Sequence, residues 1–202
     1  MSDDGTARQG PDGLRRCHWA LATGDELHYH DTEWGLSVRD DHGMFERIAL
    51  EGFQAGLSWL LVLRKRAALR EAFCGFAPVA VARFGPGDIE RLLGDARLIR
   101  SRPKIEAVVA NARATLELSG GLARLVWEYA PRDRPPAPRT VADVPASTPE
   151  STALAKALKK RGFRFVGPTT AYATMQAVGV VDDHLADCFR RGTGDVTARG
   201  RV

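Results

Sequence analysis

The stretch DHGMFERIALEGFQAGLSW, residues 41–59, sets the fold class of this chain. Phe45, Ile48, Ala49 and Phe53 fall at i, i+3, i+4 and i+8, a spacing that a helix brings onto one side. Gly52 and Gly56 weaken that helix near its end. Ser58 then caps a second helix, expected over Trp59 to Phe73, with Leu60, Leu63, Ala67 and Leu69 toward its buried side. Glu51 stands beside the first apolar stripe, directly after Ile48, Ala49 and Leu50. Upstream, Tyr29-His30-Asp31-Thr32-Glu33-Trp34-Gly35 gathers aromatic and ionisable side chains with no clear period.

Outward from this centre the period stays helical. Gly85-Pro86-Gly87-Asp88 is a turn into Ile89–Leu93. A short basic segment carrying Arg97, Arg100, Arg102 and Lys104 leads to a helix with Ile105, Val108, Val109, Ala112 and Leu116 on one face. Pro103 suits its first turn, where a missing N–H costs nothing. Leu122, Leu125, Val126 and Tyr129 mark another short helix. Residues 131–145 hold five prolines and are expected as an extended surface loop. Thr148-Pro149-Glu150 starts a helix that Gly162 stops, with Lys159, Lys160 and Arg161 at its carbonyl end. Gly167-Pro168 starts the next, running to Gly179. Asp182 is read as the cap of a last short helix carrying His184 and Cys188. Almost no segment alternates with period 2, so the fold class is all-α. Residues 1–13 are expected as a disordered polar leader, 14–190 as one compact unit and 191–202 as a frayed basic tail.

The bulk composition agrees with a single core-forming chain. It has 202 residues, 44% of them hydrophobic, and a net charge of +4 that mildly favours a polyanionic partner. Three cysteines argue against a disulfide framework and for a reducing, cytoplasmic setting. No apolar run is long enough to span a bilayer. P-loop, GxGxxG and EF-hand patterns are absent, and no hydrolytic Ser/His/Asp set stands out.

Four constellations carry possible chemistry. His184 and Cys188 lie four residues apart and Cys17 and His30 thirteen apart. Two thiolates and two imidazoles suit a closed tetrahedral zinc site joining the chain ends, although separate buried core residues fit the spacing as well. Glu51 is either a carboxylate inside a pocket or one at the exposed edge of its stripe, and the pattern alone favours the edge. Tyr29, Trp34 and Trp59 are ring faces for a planar base or ordinary core aromatics. The basic turn, and a second run at Lys159, Lys160, Arg161 and Arg164, either hold phosphates or form solvated faces. Their clustering in turns tilts the reading toward phosphate.

Several blocks taken together resemble the zinc-containing 3-methyladenine DNA glycosylase I family of the helix-hairpin-helix superfamily. They are Arg16-Cys17, the Tyr29–Gly35 stretch, Leu50-Glu51-Gly52 with Gln54 to Trp59, Leu158–Gly167 and Asp183-His184, and the likeness covers about residues 15–189. The resemblance implies an all-α helix-hairpin-helix glycosylase fold, with one structural Zn2+ on Cys17, His30, His184 and Cys188. It implies that Glu51 is the catalytic residue reading the excised base, with Tyr29, Trp34 and Trp59 lining the pocket. Gly56 and Leu57 are expected where the flipped nucleotide leaves the duplex, and Arg100, Arg102, Lys104 and Lys160 at the DNA backbone. The implied reaction is monofunctional hydrolysis of N3-methyladenine from double-stranded DNA, releasing free 3-methyladenine and leaving an abasic site. Glu51 is expected to be ionised or to share a proton. No nucleotide or redox cofactor and no membrane is expected, and a monomer is the default. Pro103 departs from a hairpin position where a backbone N–H would meet phosphate.

Overall fold

The computed structural model describes residues 5–194. The described chain is mostly helical: α1 (Gly24–Thr32), α2 (Asp41–Gln54), α3 (Trp59–Ala72), α4 (Pro78–Val81), α5 (Pro86–Gly94), α6 (Arg102–Leu116), α7 (Leu122–Trp127), α8 (Pro149–Lys160) and α9 (Pro168–Ala177). A small antiparallel hairpin pairs β1 (Arg8–Gln9) with β2 (Arg15–Arg16).

α2 is the centre of the packing. It touches α3, α6, α7 and α9, so its burial runs beyond one stripe to Met44, Phe45, Ile48, Ala49, Leu50, Glu51, Gly52 and Phe53. Phe45, Phe53, Phe73 and Phe76 are fully buried, each worth roughly 1.5–3 kcal/mol in apolar surface removed from water. The rings of Phe73 and Phe76 stack 5.5 Å apart, and Phe53 meets Phe73 edge-on at 5.8 Å. Local chemistry fixes the helix starts. Asp40 accepts from Gly43 N at 2.8 Å and Ser58 from Leu61 N at 3.3 Å, while Thr148 and Ser151 cap each other across the first turn of α8. α8 stops at Gly162, whose φ of +88° lets Gly162 N reach Lys159 O and Phe163 N reach Leu158 O.

Five features differ from the sequence reading. The Tyr29 stretch is helical: Thr23 caps α1, and Asp25 and Glu26 occupy its first turn, where carboxylates favour the exposed N–H groups. Its period is hidden because α1 serves two different surroundings rather than one core. On α3 the buried residues are Val62, Leu69 and Ala72, and Ala67 is exposed. His184 and Cys188 are not on a helix. Asp182 Oδ1 accepts from His184 N as a cap would, but only successive turns follow, closed by Cys188 N to Leu185 O at 2.8 Å. The leader is not free from residue 5 onward. Thr6 bridges Thr140, Val141 N donates to Gly5 O, and Asp12 pairs with Arg16 at 2.6 Å, so polar residues that read as disorder form a small sheet and an ion pair. The tail is tied as far as Gly192, since Arg191 binds the Asp182 and His184 carbonyls and Gly192 N reaches Asp182 Oδ2. The rest of the expected leader and tail, residues 1–4 and 195–202, lies outside the described residues.

Candidate active site and candidate metal centre

Consecutive residues of α1 open onto two adjoining surroundings, with Cys17 on the border of both. Successive side chains on a helix point about 100° apart, so Tyr29 and His30 face different ways. His30 turns toward Cys17, His184 and Cys188. All four are buried, and one ligand atom from each lies within 4.8 Å of the others. Cys188 Sγ is 3.4 Å from His30 Nε2 and 3.7 Å from His184 Nδ1, and Cys17 Sγ is 3.8 Å from His184 Nδ1. The Cys188 thiol is held low, first by the Cys17 thiol and then by His184 and His30, while that same contact and burial push Cys17 up.

The surroundings of these four residues are built to orient them. Asp31 Oδ1 lies 2.8 Å from His30 Nδ1, which fixes Nε2 as the free ring atom toward the cluster. Burial opposes charge on Asp31, but the Arg16 guanidinium and His30 hold its carboxyl below the usual range. Leu185 N points at Cys17 Sγ at 3.4 Å. Gly35 has a φ of +79°, and a Cβ there would stand 2.8 Å from His184 Nε2, so the backbone passes where only glycine fits. This group could hold a metal ion.

Tyr29 faces the other way, into a cavity of about 310 Å³. Glu51, Trp34 and Trp59 line it with Tyr29, so the structure brings together all four residues expected to meet a base. Tyr29 and Trp59 have ring centroids 5.0 Å apart. Trp34 stands between the two surroundings, since it lines the cavity and also packs edge-on against His184 at 4.5 Å.

Glu51 is 6% exposed and accepts no hydrogen bond from the described residues. Burial pushes its carboxyl up to about 8, with only a partial counter-pull from Arg47. Arg47 is itself engaged elsewhere, pairing with Glu33 at 2.8 Å. Burial thus favours the protonated acid in the free pocket at neutral pH, where an ionised or proton-sharing carboxylate is expected from the sequence. The hydroxyl of Tyr29 and the indole N–H of Trp59 are buried with no partner, and burial and Glu51 push the Tyr29 phenol up as well. Unpartnered buried polar groups are costly, so one wall carrying three of them is a site shaped for something polar and flat.

Other wall residues escaped the sequence reading. Val141 and Val144 come from the proline-rich loop, which is a wall of the cavity as well as a surface connection. Asp183 lines the cavity and accepts from Tyr172 Oη at 2.6 Å and Gln176 Nε2 at 2.8 Å. Its position directly before His184 was the one sequence signal available.

The basic residues are not equivalent. Lys104, expected at DNA, donates to Phe53 O at 2.8 Å and Ala55 O at 2.5 Å, closing the carbonyl end of α2. Arg102 pairs with Glu90 at 2.7 Å, and Arg97 with Asp95 and Glu71. Arg100 and Lys160 are exposed and form no ion pair among the described residues. Gly56, with a φ of +76°, and Leu57 form the exposed turn between α2 and α3.

A helical protein with a small, partly open aromatic cavity around one dehydrated acid has a site fit for a single planar molecule. Its relatives make the assignment narrower. The family model for methyladenine glycosylases matches residues 19–191, and the chain belongs to that family, whose members cleave N-glycosyl bonds. It is 45% identical to DNA-3-methyladenine glycosylase 1 of Escherichia coli K12, over 87% of this chain and 96% of that protein. A crystal structure of 3-methyladenine DNA glycosylase I superposes with a TM-score of 0.84 at 44% identity, covering 87% of this chain and 99% of that one. A single-residue variant of 3-methyladenine DNA glycosylase I, solved in complex with 3-methyladenine, matches with a TM-score of 0.82 at 33% identity, over 87% and 97%. Among the described residues, no helix is long and apolar enough to cross a membrane.

Proposed function

We propose that this enzyme removes N3-methyladenine from alkylated double-stranded DNA by hydrolysis, leaving an abasic site. The observation that carries the proposal is the desolvated, unpartnered Glu51 facing a cavity walled by Tyr29, Trp34 and Trp59. N3-methyladenine is cationic while attached to the sugar and departs neutral, so strong acid catalysis of its departure is unnecessary. The protein has to extract the base, hold it, and favour positive charge where it develops.

The rings supply stacking, worth about 1–3 kcal/mol per base, against a few kcal/mol for unstacking and unpairing. Glu51 supplies selectivity. A cationic base entering the cavity pulls the Glu51 carboxyl back down, and the ionised acid then accepts from the amino edge of the base. Neutral adenine brings no charge, so it meets a protonated acid and gains no ion pair. The free Tyr29 hydroxyl and Trp59 N–H complete the polar contacts. Water attacks the sugar; no lysine lines the cavity to form a Schiff base. Gly56 and Leu57 mark the face where the nucleotide turns out of the duplex, with Arg100 and Lys160 toward the phosphates.

The resident ion of the second centre is read as one structural zinc. For Zn–S near 2.3 Å and Zn–N near 2.0–2.1 Å, a tetrahedron has S···N edges of about 3.6 Å, and the sulfur–nitrogen contacts here span 3.4–3.8 Å. Both thiolates and both imidazoles would be consumed, so the ion ties the chain ends and takes no part in bond cleavage. A monomeric cytoplasmic enzyme is the simplest form consistent with this. The test is release of free base from methylated duplex by wild type and Glu51→Gln. Release of 3-methyladenine by wild type with loss of about 100-fold or more in the variant is expected, a typical scale for one positioned transition-state contact. Equal release by a folded variant refutes the role of Glu51.

A further inference from the structure

We infer that Phe165 is a second point of contact with the distorted duplex, stacking its ring on an unstacked base step beside Leu57. The inference rests on the proposed action on flipped-out DNA bases. Phe165 is 39% exposed and is the only aromatic among the exposed large apolar side chains of the described residues. Its φ of +55° is a left-handed conformation that an aromatic residue rarely adopts.

The surrounding structure holds it there. Asn111 is buried on α6 and clamps the preceding residue on both sides, donating to Arg164 O at 3.1 Å and accepting from Arg164 N at 2.7 Å. A Cβ built on Gly52 would lie 3.7 Å from Phe165 Cβ, so the Phe165 backbone rests on α2 immediately after Glu51. Lys104 lies seven residues before Asn111, on the same face of α6, and holds the α2 carbonyls just ahead of Gly56 and Leu57. One face of α6 thus fixes both apolar projections, Leu57 and Phe165, at the same end of α2.

Charge identifies the partner. Residues 151–181 contain no Asp or Glu but five cations, Lys156, Lys159, Lys160, Arg161 and Arg164. None of the five makes an ion pair among the described residues. An exposed ring next in the chain to an unpaired cation, Arg164, with four more in the preceding helix and its end, is suited to hold bases and phosphates of an opened strand.

The test compares wild type, Phe165→Gly and Phe165→Trp. Glycine removes the ring while relieving the left-handed backbone, which offsets its cost in chain entropy. The probe is a duplex containing a tetrahydrofuran abasic analogue, with binding followed by anisotropy and unstacking by 2-aminopurine fluorescence beside the lesion. Expected are about tenfold weaker duplex binding and a smaller fluorescence rise for Phe165→Gly, with near-wild-type values for Phe165→Trp. Melting temperature and affinity for free 3-methyladenine should be unchanged. Equal duplex binding by Phe165→Gly overturns the inference. So does equal weakness of Phe165→Trp, or a parallel loss of stability or free-base binding, which would make the ring a packing element. If wild type releases no 3-methyladenine from methylated duplex, the proposed activity fails, and the duplex measurements still decide the contact separately.

Discussion

Replacing Glu51 by glutamine should make the protein more stable, and by an amount that grows with pH. The Glu51 carboxyl ordinarily titrates near 4.5, and burial pushes it up to about 8 in the fold. Between those values the folded state holds a proton that the unfolded chain has released. Stability therefore falls as pH rises from about 4.5 to about 8, by up to 1.4 kcal/mol per pH unit. Integrated over that window, the ionisation works against folding by about 1 kcal/mol at pH 5 and about 4 kcal/mol at pH 8. A side-chain amide has no such proton to release, so Glu51→Gln removes the whole pH-dependent part. For a domain of this size 1 kcal/mol moves Tm by about 2–4 °C. The gap between variant and wild type should widen by about 6–12 °C from pH 5 to pH 8.

Differential scanning calorimetry of both proteins across that range measures the gap directly. A gap independent of pH would refute the reasoning, because it would mean that Glu51 is solvated and its pocket wet. The acid that destabilises the empty fold is the one proposed to recognise the base, so improving the first property should remove the second.

Three further outcomes follow from the geometry. Gly35→Ala places a Cβ against His184 Nε2 in a backbone region with φ of +79°, and should lower metal content per chain with a Tm loss matching that of chelated wild type; full metal by elemental analysis would contradict it. Lys104→Ala should reduce stability by about 0.5–1.5 kcal/mol, the usual net worth of a hydrogen bond, since its acceptors are one half-buried and one exposed carbonyl, with little change in the salt slope of DNA binding, whereas Lys160→Ala should lower that slope by about 1; the reverse result would return Lys104 to the phosphate. Tyr29→Phe removes a buried hydroxyl that has no partner, so it should leave the free protein as stable or more so while weakening 3-methyladenine binding in a calorimetric titration; unchanged affinity would take the hydroxyl out of the site.

What is legible in the sequence depends on whether one face or several decide each residue. α2, α5, α6 and α8 are readable because an apolar stripe and a bounding Pro or Gly agree at each. α1 is not, because Tyr29 and His30 answer to a cavity and a metal cluster, and such a helix has no single stripe to read. The four cluster residues come together as their chemistry suggests, yet the expected helix under His184 and Cys188 is absent. Spacing of four is met equally by a chain of turns. The role of Lys104 is hidden because a lysine's charge is visible in sequence but its carbonyl partners on α2 are not. Arg102 is hidden by Glu90 in the same way.

The two centres are mechanically one. Tyr29 reaches the cavity and His30 the Cys/His cluster from neighbouring positions of a helix only nine residues long. Trp34, just beyond its end, touches His184 with one side and the cavity with the other. Glu33 between them grips Arg47 on α2 and Arg66 on α3 at 2.8 and 2.7 Å. Burial opposes charge on Glu33, but the two guanidiniums outweigh it and hold the carboxyl below its usual range. α1 is too short to be stable by itself. Its position is therefore set by the cluster at one side and by the Glu33 clamp at the other, and Tyr29 and Trp34 inherit that position as walls of the pocket. Loss of the proposed ion should consequently act on base affinity through the placement of these two rings, and through Cys17, a cluster residue that itself lines the cavity.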